Sequence, residues 1–370
     1  MPTLRLDAVE LIHAKLPLVS PFETSFGRTD QRELIIIKAY AGGLVGYGES
    51  VPLPFYSYET IQTAWHILRD YSIPALMREP LSRPENAAER LRFVRGHPMA
   101  RAGLELACWD LFAKAQNISL KALLGGARDR VPVGVSIGIQ PTPEQLVKVV
   151  ERHVAAGYQR IKIKIKPGCD VEPLSAVRQA FPTIKMMADA NSAYRLEDAP
   201  TLRKLDALNL MMIEQPLGYD DIFDHSQLQR QLTTPICLDE SIHTLQDARL
   251  ALELDSGRII NMKVGRVGGY TEARAIHDLC LSKHIPVWCG GMLESGIGRA
   301  HNLALSSLPG FTLPGDVSAS ERYYREDIVD PPAALEPDGT IKVPTNGPGI
   351  GVTLRDDVLA RYTLATERVG

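Results

Sequence analysis

Three apolar runs in this 370-residue chain end in a carboxylate at one interval. Met186-Met187-Ala188 leads into Asp189, Met211-Met212-Ile213 into Glu214 and Cys237-Leu238 into Asp239, so the acids fall 25 residues apart. Carboxylates brought together repel by about 4 kcal/mol per pair at ~4 Å and an effective dielectric of 20, so a converging set requires a cation. Oxygen ligands with no His or Cys beside them select Mg²⁺ or Mn²⁺ over zinc. Adjacent strand residues face opposite sides, and of the pair Asp239-Glu240 the 25-residue interval selects Asp239. One such acid alone would as readily cap a helix or pair with a surface lysine; three in register argue for a metal site.

Lysines flank the acids. Arg160-Ile161-Lys162-Ile163-Lys164-Ile165-Lys166 alternates strictly, which puts the lysines on one strand face and the isoleucines on the other. Asn261-Met262-Lys263 places a further lysine at the end of a later apolar run. A metal on a substrate carboxylate stabilises the enolate left when the α-proton departs, and a neutral amine accepts that proton. A lysine serves as that base near pH 7 only if its pKa falls from about 10.4 towards 7–8, and the neighbouring Lys162 and a divalent cation push Lys164 that way. Two bases on opposite faces permit racemisation or epimerisation. One base acting twice on the same face permits syn β-elimination, with Lys263 remaining as a cation beside the enolate. Lys166, beyond the strand end, reads as solvated.

These residues need a scaffold that brings strand ends together. Candidate strands cover 131–136, 160–165, 185–189, 208–214, 236–239, 259–263, 285–289 and 311–316, and their polar ends recur every 24 to 28 residues. A βα period over eight strands favours a closed barrel with its active site at the carboxyl ends of the strands. No G-x-G-x-x-G follows the first strand, which weighs against a dinucleotide-binding sheet. In such a ring the strands carrying Lys164 and Lys263 lie diametrically opposite, with the acids on the arc between them. The first ~125 residues differ: strand-like alternation from Val9 to Leu18 and Glu33 to Tyr40, then helical spacing over 60–71 and 100–114, predict an α+β domain. The Gly-rich stretch Thr345 to Gly351 lacks a lysine and a following helix, and reads as a turn.

Composition removes other classes. With 41 Lys+Arg against 44 Asp+Glu, the net charge of -3 lacks the basic excess that nucleic acid demands. Five scattered cysteines without C-x-x-C spacing argue against a disulfide framework or zinc site and read as buried thiols. Charges near the start and the lack of an 18-residue apolar run predict a soluble, cytoplasmic protein with no membrane partner.

The chain resembles the enolase superfamily, in its muconate-lactonizing-enzyme subgroup, through the K-x-K of Lys162 and Lys164, the triad Asp189, Glu214 and Asp239, Lys263, the stretch Glu105 to Leu111 and the ending Leu124-Gly125-Gly126. Lys263 to Tyr270, Trp288 to Glu294 and Leu313 to Ser320 resemble most closely the branch of o-succinylbenzoate synthases that also racemise N-succinylamino acids. The resemblance implies a (β/α)7β TIM-type barrel over 126–320, capped by an N-terminal α+β domain over 1–125 that the segment 321–370 completes. It implies Mg²⁺ (or Mn²⁺), a small carboxylate substrate, a homo-oligomer and a lyase of menaquinone biosynthesis, with racemase activity in the same site. It further implies substrate contacts at Ser136, Asn191, Gly291 and Met292, an arginine beside the second base at Arg266, and a lid in which Phe22, Phe26 and Phe55 cover the substrate. Dipeptide epimerase or muconate-type cycloisomerase is the alternative, against which stands a lone Asp316 where the epimerases carry D-x-D.

Overall fold

The computed structural model describes residues 2–370. Three antiparallel strands open the chain: β1 (Ala8–Thr24), β2 (Gly27–Ala41) and β3 (Leu44–Ser50). Helix α1 (Pro98–Ala115) lies across this sheet so closely that a Cβ on Gly48 would stand 2.0 Å from the Gly103 carbonyl, and one on Gly46 2.2 Å from that of Ala107. Only glycine allows that approach. Nearly all of α1 is buried, because it has two apolar sides. Leu104, Ala107, Cys108, Leu111 and Phe112 join the core under the sheet, while Leu106, Trp109 and Ala113 join the core of the following domain.

That domain is a parallel sheet of seven strands paired in chain order: β4 (Val135–Ile137), β5 (Ile161–Lys164), β6 (Met186–Asp189), β7 (Ile213–Glu214), β8 (Ile236–Leu238), β9 (Ile259–Met262) and β10 (Val287–Cys289). The ring closes through 311–316, where Phe311 bridges Val287 and Gly315 bridges Val133, both parallel. Helices α2 (Pro143–Ala155), α3 (Val171–Ala180), α4 (Phe223–Gln229), α5 (Leu245–Glu253), α6 (Tyr270–Ser282) and α7 (Gly296–Ser306) fill six of the seven crossovers, that between β6 and β7 holding only short helical turns, with Thr142, Asp170, Thr244 and Ser295 as side-chain N-caps. The fold is a (β/α)7β TIM-type barrel with an N-terminal antiparallel domain.

The strand expected over 208–214 shortens to two residues. Arg203–Leu208 is a 3-10 helix and Asn209 turns left-handed at φ 49°, so the chain enters the sheet late. Period two explains the floor of the barrel. Met187, Met212 and Cys237 lie two residues before the three acids, on the same face and one layer lower, and pack with Ile259 and Trp288 as a small apolar plug.

Buried acids fasten the first domain to the barrel. Glu49 on β3 accepts the Ser295 and Gly298 N–H groups at the start of α7, and Glu105 on α1 accepts the Thr271 N–H at the start of α6. The C-terminal strand β11 (Thr363–Val369) pairs antiparallel with β1, Val9 opposite Val369. Cys108, Cys237, Cys280 and Cys289 are buried free thiols, whereas Cys169 is only half-buried because it sits in the turn after β5. Among the described residues no helix is long and apolar enough to cross a membrane.

Candidate active site

Sheet register sets the site. Lys164 stands opposite Asp189 and Asp189 opposite Glu214, so neighbouring strands present their charged ends at one level. The Lys164 ammonium donates to Asp189 Oδ2 at 2.6 Å and to Asn191 Oδ1 at 2.6 Å. Lys162, one layer down, reaches Asp189 at 3.0 Å, Glu214 at 3.1 Å and Asp316 at 2.5 Å. Across the ring Lys263 donates to Asp239 Oδ2 at 2.7 Å. Arg266 donates to the other oxygen of Asp239, to Ile242 O and to Asn261 O. The isoleucines between the lysines face outward into the main core, as alternation requires.

Burial sets the electrostatics. It works against the charge of Asp189 and Asp239, yet the adjacent lysines and Arg266 outweigh it and hold both carboxyls below the usual range. Glu214 goes the other way, pushed well above its ordinary value by burial and by Asp189. Glu240 is pushed up to about 7 by burial and by Asp239. Burial would lower Lys162 and Lys263, but Asp316, Glu214 and Asp189 raise the first and Asp239 the second. The carboxylates are here neutralised by ammonium groups. Each oxygen given to a divalent cation is withdrawn from a lysine.

The donor set suits such a cation in kind: three buried carboxylates on consecutive strands, with Glu240 Oε2 and Asn261 Oδ1 beside them as buried acceptors without a partner. A buried acceptor left unsatisfied costs about 1–3 kcal/mol. As placed, the acids lean towards the lysines, and no three His, Cys, Asp or Glu side chains among the described residues enclose a common point. Both acids of the Asp239-Glu240 pair are buried, but they serve different partners. Asp239 meets Lys263 and Arg266, and Glu240 accepts the Asn191 amide at 2.9 Å. Asn191, Ser192 and Gln215, immediately beyond β6 and β7, have φ of 42°, 62° and 36°. Left-handed backbone at three non-glycine residues is strain of the kind that gathers at functional sites.

A cavity of about 60 Å³ lies above the lysines. Ser136, Lys162, Lys164, Asn191, Lys263, Gly291, Met292, Phe22 and Phe26 line it, so most of the expected contacts meet there. Ser136 is buried with a partnerless hydroxyl. Phe55 does not meet them; it is 71% exposed on an outer cavity of about 320 Å³ with Tyr58, Tyr219 and Glu240. Arg266 lies behind Lys263 rather than in the cavity wall, because its donors are spent on Asp239 and two carbonyls.

Four residues escaped the sequence reading. Tyr56, from the lid, donates its hydroxyl to Asp239 Oδ1 at 2.9 Å and accepts from Lys263 and Arg266 at 3.2 Å each; an aromatic in a loop gives no hint of that. Asn261 donates to Glu214 at 2.6 Å, and its place two residues before Lys263 on one strand face was the available signal. Arg160 donates to Asp316 at 2.7 Å, lies over the Trp288 ring and, with Lys162, encloses that carboxylate, which falls to about 2. Tyr323 closes the cavity wall beside Phe22.

Known proteins carry the same plan. The family described as mandelate racemase / muconate lactonizing enzyme, N-terminal domain, matches residues 8–125, and the enolase C-terminal domain-like family matches 145–358. An o-succinylbenzoate synthase of Geobacillus kaustophilus is 51% identical over 97% of this chain and 96% of its own. An N-succinylamino acid racemase of Thermus thermophilus is 51% identical over 98% of both chains. The crystal structure of an enolase-superfamily member from Listeria innocua superposes with a TM-score of 0.95 at 45% identity, over 99% of both chains. An L-Ala-D/L-Glu epimerase of Bacillus subtilis is only 26% identical.

Proposed function

This chain belongs to the enolase superfamily, in its mandelate racemase / muconate lactonizing enzyme group, and on that premise we propose that it is an o-succinylbenzoate synthase that also racemises N-succinylamino acids. The observation that carries the reading is one cavity with a lysine on each side, Lys164 on β5 and Lys263 beyond β9. Relatives of both names, equally similar over their whole length, support the pairing of activities.

Each residue then has a role. Asp189, Glu214 and Asp239 would hold Mg²⁺ or Mn²⁺, which when bound supplies positive charge to the substrate carboxylate. Lys164, as the free amine, takes the α-proton, and Asn191, tied to Glu240, fixes the direction of its Nζ. Lys162, charged and held by Asp316, stabilises the enolate from below. In racemisation Lys263 returns a proton to the opposite face. In the synthase reaction Lys164 passes its proton to the departing β-hydroxyl on the same face, water leaves and the ring becomes aromatic, while Lys263 stays charged. Ser136, Gly291 and Met292 would meet the succinyl arm, and Phe22 and Phe26 exclude water from above. We place the capping unit at 1–125, the barrel at 126–320 and the returning segment at 321–370. The same proposal includes a cytoplasmic homo-oligomer of menaquinone biosynthesis that takes a small carboxylate, and neither nucleic acid nor membrane, as its partner.

The epimerase alternative is weakened by Asp316. Its carboxylate is spent on Arg160 and Lys162 inside the barrel rather than left for a substrate amino group. The test is loss of absorbance of succinyl-hydroxycyclohexadiene carboxylate with Mg²⁺, repeated with chelator and with Lys164→Ala. Turnover that chelator and substitution both abolish is expected; turnover that survives either one refutes the assignment.

A further inference from the structure

Arg32 on β2 is 2% exposed, yet among the described residues no carboxylate pairs with it. Nε donates to Met292 O at 3.0 Å, Nη1 to Pro52 O at 2.9 Å and Nη2 to Val51 O at 2.6 Å. Burial pulls the guanidinium below its usual range, and Tyr324, Glu294 and Glu49 offset that only in part. A buried cation bonded only to carbonyls is costly, so its use lies in what it holds.

What it holds is two turns from different domains. Val51 and Pro52 lead into the lid, whose Leu53 and Tyr56 line the reaction cavity; Met292 lies in the turn after β10, whose Gly291 and Leu293 line the same cavity. Val51, Tyr56 and Met292 pack in one apolar cluster between the domains. Most of the barrel turn's other polar groups are already committed. Met292 N–H goes to Glu294 at 2.8 Å, and Leu293 O accepts the Tyr324 hydroxyl at 2.5 Å. The Met292 carbonyl is the point at which the first domain grips this turn. At about 60 Å³ the cavity is far below the roughly 300–1,000 Å³ of a typical small-molecule site, so the spacing of these turns governs what enters.

We propose that Arg32 is a positioning residue that sets the register of the lid turn against the turn after β10, and with it the fit of the substrate's acyl arm. This rests on the synthase and racemase reading above. Arg32 touches neither substrate nor base. Lys164 takes its orientation from Asp189 and Asn191, outside both turns, whereas Lys263 also meets the Tyr56 hydroxyl of the lid at 3.2 Å, so loosening the turns weakens binding and leaves Lys164 in place. A planar fork reaches three acceptors in fixed directions, and a lysine ammonium does not reproduce it.

The test compares Arg32→Lys, Arg32→Gln and Arg32→Ala with the wild type on both substrates. KM is expected to rise about tenfold for each substrate while synthase kcat, which rests on Lys164, stays within about twofold, the pattern of lost ground-state positioning. Guanidinium at millimolar concentration is expected to restore KM in Arg32→Ala alone. A merely structural role would lower the active fraction, reducing kcat with KM unchanged, and that result overturns the proposal. A chain that folds with none of the three substitutions overturns it too. Amide hydrogen exchange gives a readout independent of turnover. Leu53 to Ser57 and Gly290 to Leu293 are expected to exchange faster together in Arg32→Lys, and unchanged exchange refutes the role. Wild type that turns over neither substrate refutes the functional reading, and exchange then decides the role of Arg32.

Discussion

Replacing Lys263 by alanine separates the two faces of the proposed reaction. The substitution removes an ammonium 2.7 Å from Asp239 Oδ2 but leaves Arg266 and the Tyr56 hydroxyl on Oδ1. Stripping the only partner from a buried ion costs about 3–5 kcal/mol. With Arg266 retained the loss is smaller, about 1–3 kcal/mol, and the chain stays folded. General acid–base catalysis contributes about 10²–10⁴-fold, or about 3–5 kcal/mol of activation barrier at each face. Racemisation should therefore fall by that factor. Incubation with each enantiomer of an N-succinylamino acid in deuterated water, followed by proton NMR and polarimetry, reads the faces separately. In the wild type both enantiomers exchange and invert. In Lys263→Ala the enantiomer whose α-proton faces Lys164 is expected to exchange with retention, and the other to stay inert. Inversion within tenfold of the wild-type rate, or exchange of both enantiomers, would refute the two-base geometry.

Three further outcomes follow from the contacts described. Glu59, whose carboxylate accepts the Met99 and Ala100 N–H groups, is pushed up to about 7 by burial, against about 4.5 unfolded. The folded state thus holds its proton more tightly, and the stability this adds below pH 4.5 is lost as pH rises to 7, by about 3 kcal/mol. Urea unfolding at pH 5 and 8 should show that slope reduced by this amount in Glu59→Gln, and equal slopes would contradict the assignment. Gly290→Ala would put a Cβ 2.3 Å from Asn261 Oδ1 and 2.7 Å from Lys263 Cε, so racemase kcat should drop about 10²-fold in a folded protein. Tyr56→Phe removes the hydroxyl shared by Asp239, Lys263 and Arg266; a bond to charged groups is worth about 1.5 kcal/mol or more, so racemase kcat should fall roughly tenfold, as steady-state kinetics would show.

The barrel was readable because its strands repeat. A parallel strand buried on both faces writes a short apolar run, and the acid or lysine ending it stands out against that background. The lysine alternation fixed its own facing, since period two admits one assignment. The short strand at Ile213 was not readable, because Leu208 to Met212 is as apolar as a strand while its backbone turns at Asn209. Contacts between the domains were equally silent. Arg32, Glu49 and Tyr56 lie in segments whose local pattern is satisfied by a strand or a loop, and their partners are set by docking, which no local period records. Phe55 shows the converse: an aromatic in the right loop, facing outward.

The pairing of β11 with β1 has a consequence for synthesis. The first strand of the chain leaves the ribosome with one edge unfilled, and the strand that fills it lies beyond the entire barrel in sequence. At about 5–20 residues per second, Val9 to Ala14 stay open for tens of seconds while β4 to β10 are made. An open apolar edge invites pairing with other chains. The nascent protein therefore stays exposed to aggregation through the whole synthesis of the barrel, because the sheet that caps it is one strand short until the last residues are made.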